Sequence, residues 1–331
     1  MLSAWLAFIA ACITIAAAGV WLARFGDAIA EKTGLGGTWI GVILVATVTS
    51  LPELVTGVSS VALADAPNIA VGDALGSCVF NLALVAVLDF SYREAPLYLK
   101  ASSGHILAAG FSVMMIGLVA FSVLAGDVAG IRLGHIGIYT PAIGVLYLVA
   151  VRSIFLQERR SGPPVSAERY AHLSLPQAAA GYAAAAAVIV AAGIALPFAA
   201  VRLAEVMGWG QSFIGTLFVA AATSLPEVAA TLAALRIGAI DLAIGNLLGS
   251  NLFNILIIAI DDMAYLRGPL LAQVSDTHAV TAVSALIMTG AAVVGLHYRP
   301  KTRLFRIVGW ISLALVLMYV FNGLVLYLRE A

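Results

Sequence analysis

Charge is the scarcest resource in this chain. Only 10% of its 331 residues are Asp, Glu, Lys or Arg, against roughly 25% in a soluble domain. The 17 basic residues are balanced by 17 acidic ones, which argues against a nucleic-acid partner. Only two cysteines are present, Cys12 and Cys78. Both fall in apolar stretches, so a structural disulfide is not expected. No Cys or His cluster has zinc spacing. Strands of alternating polarity are missing, which excludes a transmembrane barrel and leaves helices to satisfy the backbone in lipid. A basic leader is also missing: the chain opens on an apolar run that reads as a first spanning helix rather than a cleaved signal.

What remains is apolar. Hydrophobic residues make up 62% of the chain and the mean hydropathy is +1.05. Runs long enough for helices of ~20 residues predict an all-α integral membrane protein with ten spans. They lie near 2–23, 35–62, 68–90, 104–125, 134–156, 176–204, 211–235, 240–261, 277–297 and 304–327. With the N-terminus outside, the external connections hold Arg132, Arg202, Arg267 and Arg329, and the other 13 of the 17 basic residues lie inside. The positive-inside rule therefore places both termini on the extracellular or periplasmic side of a plasma or bacterial inner membrane.

The chain repeats itself. Thr49-Ser50-Leu51-Pro52-Glu53 returns as Thr223-Ser224-Leu225-Pro226-Glu227, 174 residues later. Gly76-Ser77-Cys78-Val79-Phe80-Asn81 returns as Gly249-Ser250-Asn251-Leu252-Phe253-Asn254, shifted by 173. Gly19, Glu31 and Gly36 pair with Gly193, Glu205 and Gly210, and Asp89, Tyr92 and Pro96 with Asp262, Tyr265 and Pro269. This predicts a first five-helix repeat over 1–156 (core motif 38–97) and a second over 176–331 (core motif 212–270). Residues 157–175, with Arg159-Arg160 and Pro163-Pro164, read as a cytosolic linker. Halves with an odd number of spans must insert in opposite directions, an arrangement common in secondary transporters.

Each motif puts a glutamate, a proline and hydroxyl groups inside an apolar segment, where a carboxylate is costly and usually functional. Pro52 lacks an amide hydrogen, so carbonyls near Ala46 and Thr47 are expected to lose their helical donors. Thr49 and Glu53 share a face, as do Ser77 and Asn81 one helix later. Ala220, Thr223, Ser224 and Glu227, with Ser250 and Asn254, repeat the set. Every such group offers oxygen, which suits Ca²⁺ and Na⁺-like hard cations, and two glutamates balance one Ca²⁺.

T-S-L-P-E followed by G-S-x-x-x-N, once per half, resembles the alpha repeats of sodium/calcium exchangers in the cation/calcium exchanger superfamily. The resemblance covers essentially the whole membrane chain. It implies alternating access and exchange of several Na⁺ for one Ca²⁺, with inorganic cations and the bilayer as partners and no cofactor. It makes the cation ligands Ala46 (carbonyl), Thr49, Ser50, Glu53, Ser77 and Asn81, with Ala220 (carbonyl), Thr223, Ser224, Glu227, Ser250 and Asn254. It also implies that the first helix of each half forms a long tilted pair, which the small residues Ala16 to Gly19 and Ala191 to Gly193 suit. Where many microbial members carry an aspartate this chain has Asn254. Amides at both Asn81 and Asn254 resemble exchangers that do not need K⁺. Asp73 stands opposite Asn246 in the repeat. It reads either as an accessory carboxylate or as a cap on the third helix.

A cation/proton antiporter is the nearest rival reading. A channel would lack coupling, and an intramembrane enzyme would need a nucleophile–base pair beside its carboxylates. The remaining polar groups read as structural: Thr47, Ser59, Ser60, the pair Asp89 and Asp262 at helix ends near water, and the five histidines at span ends or in loops. The tryptophans read as interface anchors and Cys78 as a small filler.

Overall fold

The structure, a computed structural model, describes residues 1–33, 46–92, 94–126, 132–158, 170, 172–302 and 309–330. Its first half runs α1 (Leu2–Lys32), α2 (Leu51–Ala62), α3 (Pro67–Ser91), α4 (His105–Ala125) and α5 (Tyr139–Glu158). The second runs α6 (Leu175–Met207), α7 (Leu225–Arg236), α8 (Ile240–Ala264), α9 (Thr277–Tyr298) and α10 (Trp310–Glu330). Eight of these are long and apolar enough to cross a membrane alone. A ninth span forms when Gln211–Thr223 and α7 are joined across a 45° bend. The corresponding first-half span is described from residue 46, where residues 46–49 are helical and lead into α2. Its expected first residues, with Gly36 and Trp39, lie outside the described residues. So do Arg93, Arg159, Arg160, Arg169, Arg303 and Arg306 of the charge count.

One face is defined by contacts at the chain ends. Trp5 meets Trp209 edge-on at 6.3 Å, and the Gly210 amide donates to the Glu330 carbonyl at 2.8 Å. The two termini therefore share one face. On that same face Arg267 pairs with Asp65 at 2.6 Å, joining the loops that follow α2 and α8. Thus α2 ends on the face where the span containing α7 begins, the reversal expected of inverted halves.

Two boundaries differ from the sequence reading. Helix α1 does not stop near residue 23 but continues to Lys32. With 31 and 33 residues, α1 and α6 reach about 46–50 Å at 1.5 Å per residue. They outrun a ~30 Å hydrocarbon core and pack along one another as a pair. Helix α5 begins at Tyr139, because 132–137 form a small antiparallel hairpin. Gly134 turns it with φ +69°, and Asp262 holds the Gly137 amide at 2.8 Å.

Helices α3 and α8 are buried along most of their length, with Leu75, Leu82, Ile244 and Leu247 in a core shared with Met115 and Met288. The outer helices present Ile13, Phe121, Leu148, Val188 and Leu317 outward, as surfaces meant for lipid do. Glycine permits the tightest crossings. A Cβ on Gly19 would run into the Pro226 ring, and one on its counterpart Gly193 would lie 2.9 Å from Val55 Cγ1. The small residues of α1 and α6 thus face the motif helix of the opposite half. Gly76 lies on the backbone of the π-helical turn Ile214–Val219, and Gly249 takes the mirrored place against Ala46.

Gly76→Ala is expected to destabilise the fold by ~1–3 kcal/mol through overpacking, since its Cβ would strike Thr216 O and come within 2.7 Å of the Ala220 Cβ. Gly110→Ala, with open space around it, should be neutral or stabilising by up to ~1 kcal/mol. Thermal unfolding of the two variants in detergent, followed by tryptophan fluorescence, checks the contrast. Equal midpoints would contradict it.

Candidate cation site

The two T-S-L-P-E segments break their helices in the same way. Ser50 has φ −87°, ψ 14° and Ser224 has φ −81°, ψ 7°, just outside helical geometry. Proline then sits in the first turn of α2 and α7, where a missing amide hydrogen costs least. Each break leaves a helix N-terminus pointing into the protein, with Glu53 or Glu227 in its first turn. The partial positive charge of those ends favours the carboxylates.

The carbonyls do not behave as the proline argument expected. Ala46 O accepts from the Ser50 amide at 3.1 Å and from Thr49 Oγ1 at 3.2 Å. Ala220 O accepts from the Ser224 amide at 3.0 Å and Thr223 Oγ1 at 3.2 Å. The donors that Pro52 and Pro226 withhold are those of Val48 and Ala222, four residues earlier. Ala46 and Ala220 can therefore coordinate a cation only through remaining lone-pair capacity, not as orphaned groups.

All twelve residues proposed as ligands, and Asp73, are buried, none more than 2% exposed. The halves cross over at the serines. Ser50 Oγ donates to Glu227 Oε1 at 2.9 Å, and Ser224 Oγ to Glu53 Oε1 at 3.0 Å. Each hydroxyl thus reaches the other half's glutamate, which binds the two acidic side chains into one constellation. Ser250 Oγ donates to Glu227 Oε1 at 3.3 Å. Ser77 Oγ lies 2.9 Å from Ser224 Oγ and serves as its donor once the Ser224 proton is given to Glu53.

Further partners were not visible in the sequence. Asn81 Nδ2 donates to Asn251 Oδ1 at 3.1 Å, and Asn251 Nδ2 to the Cys78 carbonyl at 3.3 Å. Cys78 and Asn251 are repeat counterparts, so α3 and α8 cross where the repeat meets itself. Cys78 is more than a filler, its Sγ lying 3.8 Å from Asn251 O. Asp73 is not a cap. The residue before α3 is Ala66, and Asp73 lies two turns inside, accepting from Thr223 Oγ1 at 2.8 Å.

These bonds leave oxygen unused. Glu53 Oε2, Glu227 Oε2, Asn81 Oδ1, Asn254 Oδ1 and Asp73 Oδ2 are buried and have no hydrogen-bond partner among the described residues. Buried polar atoms are normally satisfied, and an unpaired one costs ~1–3 kcal/mol or more. Such oxygens are of the type that hard cations take as ligands. Among the described residues, no three His, Cys, Asp or Glu side chains gather tightly enough to hold a metal. Around Glu53 and Glu227 lie the hydroxyls of Ser50, Ser224 and Ser250.

The matched aspartates are structural but not near water. Asp262 is fully buried and accepts from Gly137 N, Tyr139 Oη, Thr140 Oγ1 and Leu270 N. Asp89, 1% exposed, accepts from Leu97 N, Gly309 N and Ser312 Oγ. Each ties the end of the central helix to the fifth helix of one half. His278 is likewise buried, with Nε2 3.2 Å from Asn68 Oδ1.

The sequence matches the profile of the sodium/calcium exchanger protein family over residues 3–155 and again over 178–328. It is 30% identical over 245 residues to the inner membrane protein YrbG of Escherichia coli K12, covering 69% of this chain and 72% of that one. Its fold superposes on the H⁺/Ca²⁺ exchanger CAX with TM-score 0.72 at 14% identity, covering 98% and 86% of the two chains. It also superposes on the sodium-calcium exchanger NCX_Mj, soaked with 2.5 mM Na⁺ and 1 mM Sr²⁺, with TM-score 0.62 at 22% identity and 96% coverage of each. With a buried acidic cage at the crossing of two inverted halves, and the family profile matched in both halves, this chain is an integral membrane protein that belongs to the sodium/calcium exchanger family of cation/Ca²⁺ antiporters.

Proposed function

We propose that this antiporter exchanges Na⁺ for Ca²⁺ by alternating access, and that Glu53 and Glu227 hold one Ca²⁺ or Na⁺ ions in mutually exclusive loads. The reciprocal Ser50–Glu227 and Ser224–Glu53 hydrogen bonds carry this reading, because they bring both carboxylates to a single centre. The ligands are Ala46, Thr49, Ser50, Glu53, Ser77 and Asn81, with Ala220, Thr223, Ser224, Glu227, Ser250 and Asn254. An empty cage with two negative charges is costly to occlude away from water. Either load offsets that charge and permits the switch, so the gradient of one ion drives the other. Amides at Asn81 and Asn254 keep the fixed charge of the cage at two, matched to one divalent ion, and argue against K⁺ as a third substrate.

The halves 1–156 and 176–331 meet at this centre, joined by the linker 157–175 on the cytosolic side. The excess of Lys and Arg on that side supports an N-terminus and a C-terminus facing outward.

In proteoliposomes, ⁴⁵Ca²⁺ uptake should follow a Na⁺ preload and not a K⁺ preload or a pH step. Uptake driven by the pH step alone would instead establish a proton-coupled exchanger. Glu53→Gln and Glu227→Gln should each abolish exchange, and a variant that transports normally would refute the cage. Ser50→Ala and Ser224→Ala remove equivalent ligands and equivalent charge-assisted bonds of ~1.5–3 kcal/mol. Each should weaken apparent Ca²⁺ affinity about tenfold or more, and to a similar extent. Loss of affinity in only one of them would show that the halves do not contribute alike.

A further inference from the structure

Asp261 breaks the symmetry of the repeat. At the 173-residue shift its counterpart is Leu88, so the second half carries a carboxyl group where the first carries an apolar side chain. Asp262, beside it, is fully used by the hairpin and by Tyr139. Asp261 is 0% exposed, and among the described residues neither Oδ1 nor Oδ2 has a hydrogen-bond partner. A buried carboxyl group with two idle oxygens is among the costlier features a membrane protein can keep.

Its position gives that cost a purpose. Asp261 follows Asn254 by seven residues, so it lies two turns along the same face of α8, towards the face that holds both chain termini. It meets α2 at Gly57, where a Cβ would lie 2.5 Å from Asp261 Oδ2 and 2.8 Å from Oδ1. Gly57 in turn follows Glu53 by four residues, one turn along the same face of α2. The missing side chain at Gly57 is what lets the carboxyl group lie against that helix, a turn away from the cage glutamate. Asp73 is another acidic departure from the repeat, standing opposite Asn246. Its free Oδ2 is also buried.

We propose that Asp261 is a cation station separate from the central cage. It holds a hard monovalent cation, Na⁺ on the exchange reading above, between the terminus-bearing face and Glu53. The station rests on that reading for the identity of its ion but not for its existence. Asp261 supplies the charge and Gly57 the clearance. The first half, with Leu88, has no equivalent, so the two ends of the transport path are unlike in their approach to the same cage.

The test uses the full chain with its cage disabled. Purified Glu53→Gln/Glu227→Gln protein is titrated with NaCl against choline chloride, by calorimetry and by thermal shift. A residual saturable Na⁺ response is expected, and it should be lost when Asp261→Asn is added. Gly57→Ala, which keeps the carboxyl group but fills its clearance, should lose it as well. If the cage-disabled protein shows no Na⁺ response, or if the response survives both Asp261→Asn and Asp261→Leu, the station does not exist. Asp261→Leu copies the first half's Leu88 and so guards against a polar variant that misfolds. Failure of the exchange reading has a different signature: ⁴⁵Ca²⁺ flux that ignores Na⁺, whatever the titration shows.

Discussion

The structure depends on one exchange of hydrogen bonds. A serine at each helix break gives its proton to the glutamate of the opposite half, so neither half completes its own carboxylate's surroundings. Two acidic groups that repel in a water-poor interior are thereby held at one centre, each facing a helix N-terminus. The arrangement leaves one oxygen of each glutamate idle, which is a stable design only if something positively charged visits. Cargo is in this sense a structural component of the protein, and its absence is the state the protein should least readily occlude.

Packing serves that centre by subtraction. Gly19 and Gly193 bring the long helices α1 and α6 onto the motif helices of the opposite halves. Gly76 and Gly249 bring α3 and α8 against the segments that carry Ala220 and Ala46. The contacts are mirrored between the halves. Asp89 and Asp262 work in the opposite sense. By gathering three or four donors each, they fix the ends of α3 and α8 to the fifth helix of the opposite half. The long pair α1 and α6 is instead packed through small residues.

Much of this was legible in the chain. The doubled motif marked the buried serines and glutamates that the structure brings together, because a proline, a glutamate and hydroxyls have no apolar reason to recur together in lipid. The inverted order of the halves followed from an odd number of spans. The misses share a cause: they depend on contacts between distant residues that no local pattern encodes. Asp73 bonds Thr223 across 150 positions, so inside its own helix it resembled a cap. Asn251 closes the Asn81 amide across 170. The aspartates at the helix ends looked wet because hydropathy does not see the hairpin and turns that fold over them. The carbonyl expectation failed for a local reason, since a proline withholds its hydrogen from the residue four before it and not from Ala46 or Ala220. Asp261 was overlooked because it stands beside a matched aspartate and breaks the repeat instead of obeying it.

The central claim is that one centre, built by both halves, takes either ion. The most direct measurement is an experimental structure at two ion compositions, with Sr²⁺ as a heavy stand-in for Ca²⁺. At low Na⁺, a single divalent peak should lie at about 2.3–2.6 Å from oxygens of both Glu53 and Glu227, and it should vanish when Na⁺ is raised. A divalent ion held by only one of the two glutamates, or one that persists unchanged in excess Na⁺, would contradict the account.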